Sequence, residues 1–192
     1  MRIRCLAPIV RQDSKTLILG TIPGEESLLQ KNYYANSKNH FWDIVYRILN
    51  KDWDYFNIVD KTNIFSERYN LLLENKIALW DVLDSCEREG SSDKKIKNEI
   101  VNDFNSFFKS FGNIENVIFN GGNAEKFFLK YYKNSSFDNI VFHQVNSTST
   151  LNPYNTFLIL LTRGISHGWV CTDSTSRISS QPSFRSDTQT LV

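Results

Sequence analysis

The stretch best suited to chemistry runs from Leu17 to Trp42, LILGTIPGEESLLQKNYYANSKNHFW, where an apolar run meets a Gly-rich turn and an aromatic, Asn-rich loop. Gly20 and Gly24 let the backbone approach a ligand closely, and Pro23 stiffens the turn between them. Main-chain N–H groups there can face an anion or the edge of a base. Tyr33, Tyr34, Phe41 and Trp42 add flat faces around the polar Asn39, a combination suited to a nucleobase. The Asn39 amide oxygen can accept a hydrogen bond from water while its NH₂ contacts a base edge or a phosphate. An amide is too weak a base to deprotonate water outright. The same residue is also a good N-cap for a helix beginning at His40 or Phe41, and residue types alone leave both readings open.

Short hydroxyl side chains gather again at Ser147-Thr148-Ser149-Thr150-Leu151-Asn152. Ser147, Thr148 and Ser149 suit phosphate contacts at a kinked backbone, and Leu151 suits an apolar wedge beside them. Other candidates have blander readings beside the functional ones. Lys15, Lys31 and Lys38 form a local basic patch or a solvated surface, and His40 meets a phosphate or caps a surface helix. Tyr33 backs Tyr34 or simply packs in the core, because neighbours on an extended segment face opposite ways. Asp81 orients a loop or a water, or caps the following turn.

The elements that position these residues follow from apolar patterning. Four short β-branched or apolar segments alternate with amphipathic stretches, the signature of a parallel sheet flanked by helices. Strands are expected over 16–21, 77–82, 116–120 and 139–145, and helices over 41–49, 93–111, 124–132 and 154–166. The helix over 93–111 rests on Ile96, Ile100, Phe104, Phe107, Phe108 and Phe111, which recur at helical spacing behind Ser91-Ser92-Asp93. In open α/β sheets ligands bind beyond the C-terminal strand ends. GTIPG, Asn120-Gly121-Gly122-Asn123 and the 146–152 segment fall at three such ends.

The 192 residues, 41% apolar and 14% aromatic, suffice for one sizeable core. A formal charge of only +1 excludes DNA binding through a globally basic surface. Three scattered cysteines, Cys5, Cys86 and Cys171, have neither disulfide-rich nor metal-ligand spacing, which points to free thiols in a reducing compartment. No apolar run reaches the ~20 residues needed to cross a bilayer, and 1–14 lacks a signal-peptide core; a cytoplasmic location and no membrane partner are expected. One domain is expected over 1–170. The Ser/Thr-rich segment 171–192 lacks apolar periodicity and reads as a disordered or appended tail.

Four motifs carry a resemblance. Gly20-Thr21-Ile22-Pro23-Gly24 with Ser27-Leu28, then Tyr33-Tyr34 and Asn39-His40-Phe41-Trp42, resemble the pattern GSxPGxxSL followed by YYxxxxNxFW. ALWDVLDSCEREGSSDKKI (78–96), VIFNGGNAEKFF (117–128) and VNSTSTLN (145–152) follow in order. The chain thus resembles the uracil-DNA glycosylase superfamily, and within it the hypoxanthine-DNA (deoxyinosine) glycosylase branch, over about residues 14–169. The resemblance implies a three-layer α/β/α sandwich around a central, mostly parallel four-stranded sheet. It also implies a monofunctional DNA N-glycosylase that flips out a base, hydrolyses its glycosidic bond and leaves an abasic site. Asn39 is the implied catalytic residue. Gly20, Thr21, Ile22, Tyr34 and Asn120 are the expected base contacts; Gly24, Ser27, Lys38, His40, Ser147, Thr148, Ser149 and Leu151 are the expected DNA contacts.

Departures bear on the substrate. Ile22 stands where mismatch-excising branches carry Asn, Thr150 and Leu151 replace the Pro-Ala of STSPAN, and Asn146 replaces the preceding proline. Hypoxanthine, with uracil second, is the expected base. A bulky modified cytosine in phage DNA, excised in defence, is one alternative, and an inactive module that binds modified DNA is another. No metal or other cofactor is expected: the three histidines lie far apart, and the superfamily's iron-sulfur branches need four cysteines. The expected partner is DNA, duplex with an extruded base or single-stranded, bound by a monomer.

Overall fold

The computed structural model describes residues 1–49, 64–137 and 139–149. At its centre four parallel strands run in the order β3-β2-β6-β7: β2 (Thr16–Gly20), β3 (Ile77–Asp81), β6 (Asn116–Asn120) and β7 (Val141–Val145). Leu17, Ile18 and Leu19 are fully buried, as a central parallel strand covered on both faces requires. Alternation along the strands sends Ile18, Leu79 and Ile118 to one face and Leu17, Leu19, Val117 and Phe119 to the other.

The first face is covered by α2 (Phe41–Ile48), which buries Phe41, Trp42, Ile44, Val45, Tyr46 and Ile48, and by Leu71 and Leu72 of α3 (Ile64–Glu74). The second is covered by α4 (Phe104–Ser110) through Phe104, Phe107 and Phe108, and by α5 (Gly122–Tyr132) through Ala124 and Phe128. The architecture is the three-layer α/β/α arrangement. A short α1 (Glu25–Gln30) follows the GTIPG turn.

A second sheet is antiparallel, in the order β1-β4-β5: β1 (Arg2–Arg4), β4 (Leu83–Glu87) and β5 (Lys97–Val101). It corrects the helix expected over 93–111. That segment is a 3-10 turn (Asp93–Lys95), then β5, then α4. Ile96, Ile100 and Phe104 mimic helical spacing, but β4 captures 97–101 by pairing, and Ile100 stays 50% exposed. The helix begins only after Asp103, whose carboxylate accepts from the Ser106 N–H at 3.1 Å. Phe104, Phe107 and Phe108 are core, as expected, whereas Phe111 is half-buried.

The last strand begins at Val141, because Asn139 takes a left-handed conformation (φ 68°). The expected helix over 154–166, Thr150, Leu151, Asn152, Cys171 and the 171–192 tail lie outside the described residues. Among the described residues no helix is long and apolar enough to cross a membrane.

Candidate active site

β2 ends at Gly20, β3 at Asp81, β6 at Asn120 and β7 at Val145, and the segments leaving these ends enclose a cleft of about 510 Å³. Gly20, Thr21, Ile22, Gly24, Ser27, Tyr34, Lys38, Asn39, Asn120, Ser147, Thr148 and Ser149 all line it. Positions more than a hundred residues apart in sequence therefore meet at one sheet edge. His40 does not line the cleft: its Nδ1 lies 3.4 Å from Asp43 Oδ2, and its backbone N–H donates to Thr148 O at 3.1 Å. Leu151, the expected wedge, is outside the described residues.

One wall is a closed, uncharged network. Asn39 Oδ1 accepts from the Phe41 N–H at 2.9 Å, so the side chain tethers the start of α2 while lining the cleft. Both readings of Asn39 thus have a structural basis, since an amide oxygen has a second lone pair for water. Tyr34 adopts φ 52° and stacks its ring on Phe41, with centroids 3.9 Å apart and planes 11° apart. Its hydroxyl accepts from Asn120 Nδ2 at 2.9 Å, and burial pushes the phenol pKa up. Asn120 also donates to Thr148 Oγ1 (3.0 Å) and accepts from the Thr148 N–H (2.9 Å). The expected base-contacting amide is therefore also the bolt between Tyr34 and the 147–149 loop. Ser27, expected on DNA, is buried, and its Oγ accepts from the Ala35 N–H at 3.3 Å. Tyr33 is core: its hydroxyl donates to Leu6 O, and its N–H donates to Tyr69 Oη.

Two glycines are fixed by contact. A Cβ on Gly20 would stand 2.6 Å from Asp81 Oδ1 and 3.2 Å from Tyr34 Oη. Gly121 adopts φ 107°, and a Cβ there would meet Ser147 Cβ at 3.0 Å.

The opposite wall is charged. Arg88, buried, donates from Nη2 to Pro23 O and places Nη1 3.7 Å from Asp93 Oδ1, clamping the GTIPG turn from behind. Ser91 Oγ accepts from the Glu25 N–H at 3.0 Å. Glu25, Glu26, Asp81 and Asp93 line the cleft beside Lys38 and Lys94. Glu25, Glu26 and Asp93 face Lys38, Lys94 and the Arg88 behind them, so charges nearly balance and the turn is less a phosphate cradle than the sequence suggests.

Asp81 is 4% exposed, and its Oδ2 has no hydrogen-bond partner. Burial first, then Asp93, raises its pKa to about 8 against the opposing pull of Arg88. Arg88 and the Ser91–Lys94 wall carried no role in the sequence reading. Their one signal was the motif CEREGSSDKKI, whose residues fold against the glycine turn. Among the described residues, no group of three or more His, Cys, Asp or Glu could hold a metal ion.

No known family model matches the sequence. A hypoxanthine DNA glycosylase of Methanosarcina barkeri is 34% identical over 121 residues, covering 63% of this chain and 72% of the relative. The corresponding protein of Methanosarcina acetivorans is 32% identical over 119 residues, covering 62% and 71%. The chain belongs to the hypoxanthine-DNA glycosylase family. That family is a family of DNA N-glycosylases within the uracil-DNA glycosylase superfamily. A solution NMR structure from M. acetivorans, provisionally assigned as a uracil DNA glycosylase, superposes with a TM-score of 0.69, covering 84% of this chain and 98% of that one. At 24% identity this likeness speaks to the fold. Family membership gives the cleft its context: a strand-edge pocket with stacked rings and an amide, in a lineage of base-excising enzymes.

Proposed function

We propose that this protein extrudes a deaminated base from DNA, hypoxanthine by preference and uracil second, and hydrolyses its N-glycosidic bond to leave an abasic site. The observation that carries this reading is the convergence of Tyr34, Asn39, Asn120 and the 147–149 loop on one cleft, in a chain of this family. A volume near 510 Å³ lies within the ~300–1,000 Å³ usual for small-molecule sites and admits a purine with its sugar.

Bond cleavage sends the C1′–N electron pair to the base and leaves positive charge on the sugar, which water captures at C1′ while losing a proton. Tyr34, held flat by Phe41 and Asn120, stacks on the base, and Asn39 uses its second lone pair to hold the water. Gly20, Thr21 and Ile22 shape the base side of the pocket. Ile22 is apolar, so it cannot take the water-holding role of an Asn at that place. Gly24, Lys38, Ser147, Ser149 and Leu151 meet the DNA backbone and the gap in the stack; Thr148, expected on DNA, is fully buried against Asn120 and holds the loop instead.

The protein acts as a monomer on cytoplasmic DNA, with residues 1–170 sufficient; deleting 173–192 leaves excision unchanged, and a large loss refutes that boundary. The decisive experiment incubates the full chain with oligonucleotides bearing hypoxanthine, uracil and other altered bases, and with hypermodified phage DNA, then measures free base by mass spectrometry. Release of hypoxanthine is expected. Release only of a bulky cytosine reassigns the enzyme to phage defence, and binding without any release makes it an inactive reader.

A further inference from the structure

Asp81 is the one buried titratable group at the cleft floor that the water-holding role of Asn39 leaves unused. Its backbone is fixed, because Asn102 Nδ2 donates to Asp81 O at 2.9 Å. Its carboxyl lies across the bare Cα of Gly20, where any side chain would collide, and beside the Tyr34 hydroxyl that meets the same spot. Oδ2 is buried without a partner. Asp81 lines the cleft, and a buried polar atom left open is unfavourable, so a ligand that drew the carboxyl toward the cleft would complete it.

The groups that face it come from three segments. Arg88 and Asp93 follow β4, Tyr33 and Tyr34 lie between α1 and α2, and Cys5 follows β1. Arg88 is the only cation among them, and it is already engaged by Pro23 O and Asp93. With its pKa near 8, Asp81 holds its proton at neutral pH. A neutral carboxyl donates a hydrogen bond where a carboxylate can only accept one.

We propose that Asp81 is the proton donor to the departing base. Its O–H bonds to the everted base beside Tyr34, and as the C1′–N bond breaks and the electron pair moves onto the base, the base takes the Asp81 proton. Water adds to C1′, and the proton it loses returns to Asp81 through solvent, so the sum is base, abasic sugar and one water consumed. This inference rests on the glycosylase reading and adds its leaving-group chemistry. It also gives Gly20 a purpose: the absent side chain makes room for an acid.

The test is single-turnover base release from a deoxyinosine oligonucleotide from about pH 6 to about pH 10. The wild-type rate is expected to stay level to about pH 8 and then fall about tenfold per pH unit. Asp81→Asn, which keeps the shape but cannot give up a proton in time, is expected to lose about 10²-fold and to show no alkaline decline. Its deficit should shrink for 5-fluorouracil relative to uracil, because the fluorinated base leaves as a more stable anion; a merely structural defect lowers both equally. A wild-type profile flat through pH 8 overturns the proposal even if the variant fails to fold. Normal excision by a folded Asn variant overturns it while leaving the glycosylase reading intact. Absence of release from every substrate by the wild-type protein overturns both.

Discussion

The two walls of the cleft are built on opposite terms. On the α2 side, Tyr34, Asn39, Asn120 and Thr148 are joined by hydrogen bonds of 2.9–3.0 Å to one another or to α2, and none is charged. On the side of Arg88 and Asp93, charges are crowded, Arg88 Nε lacks a hydrogen bond, and Asp81 Oδ2 on the floor has none either. Satisfied groups fix a shape before a ligand arrives, whereas unsatisfied ones retain capacity for a ligand or a proton. The first wall is thus a mould, and the second a reagent shelf.

Substitutions can break this division. The largest expected effect is at the residue proposed to hold the water: Asn39→Ala should reduce excision by about 10²–10³-fold. Loss of its bond to Phe41 N–H should cost only ~1 kcal/mol of stability. Rate and thermal unfolding measured on one preparation separate the two roles, and near-normal excision would reduce Asn39 to a helix tether. Next, Gly20→Ala strikes both walls, since its Cβ enters the space of Asp81 Oδ1 and Tyr34 Oη. A displacement of this size should slow turnover on the order of 10²-fold with modest change in substrate binding. Unchanged turnover would mean that the walls yield independently.

The smallest effect sharpens the contrast through stability alone. Asp81 titrates near 8 in the folded protein against 3.8 as the ordinary value. Between these values the native state keeps a proton that the unfolded chain has released, so this group's contribution to stability declines as pH rises, then levels off above about 8. Asp81→Asn removes that slope. The Tm of the variant relative to wild type should therefore climb by a few degrees per pH unit between about pH 5 and about pH 8. A constant difference would place Asp81 in ordinary ionised form.

Sequence alone revealed the parallel sheet, because buried central strands such as TLILG and NVIFN are short, apolar and flanked by turn residues. It placed the GTIPG turn and Asn39 on one cleft because both lie inside one local motif. The antiparallel sheet escaped: β1 pairs with β4 across more than eighty residues, and no local period announces such a partner. The spacing of Ile96 and Ile100 even argued for the wrong element, and the Asp103 cap was the local sign against it. The charged wall was hidden for the same reason. Arg88 reaches Pro23 only after β4 brings its loop back over the sheet edge. Asn120 was expected at the cleft and lines it, but its tie to Thr148 belongs to tertiary structure.

The bond from the His40 amide to Thr148 O has a mechanical meaning. It rivets the serine-threonine loop to the neck of α2, one residue from Asn39. A strand of nucleic acid hauling on that loop would load the backbone next to Asn39, coupling grasp to base excision in a single stroke if Asn39 holds the water as proposed.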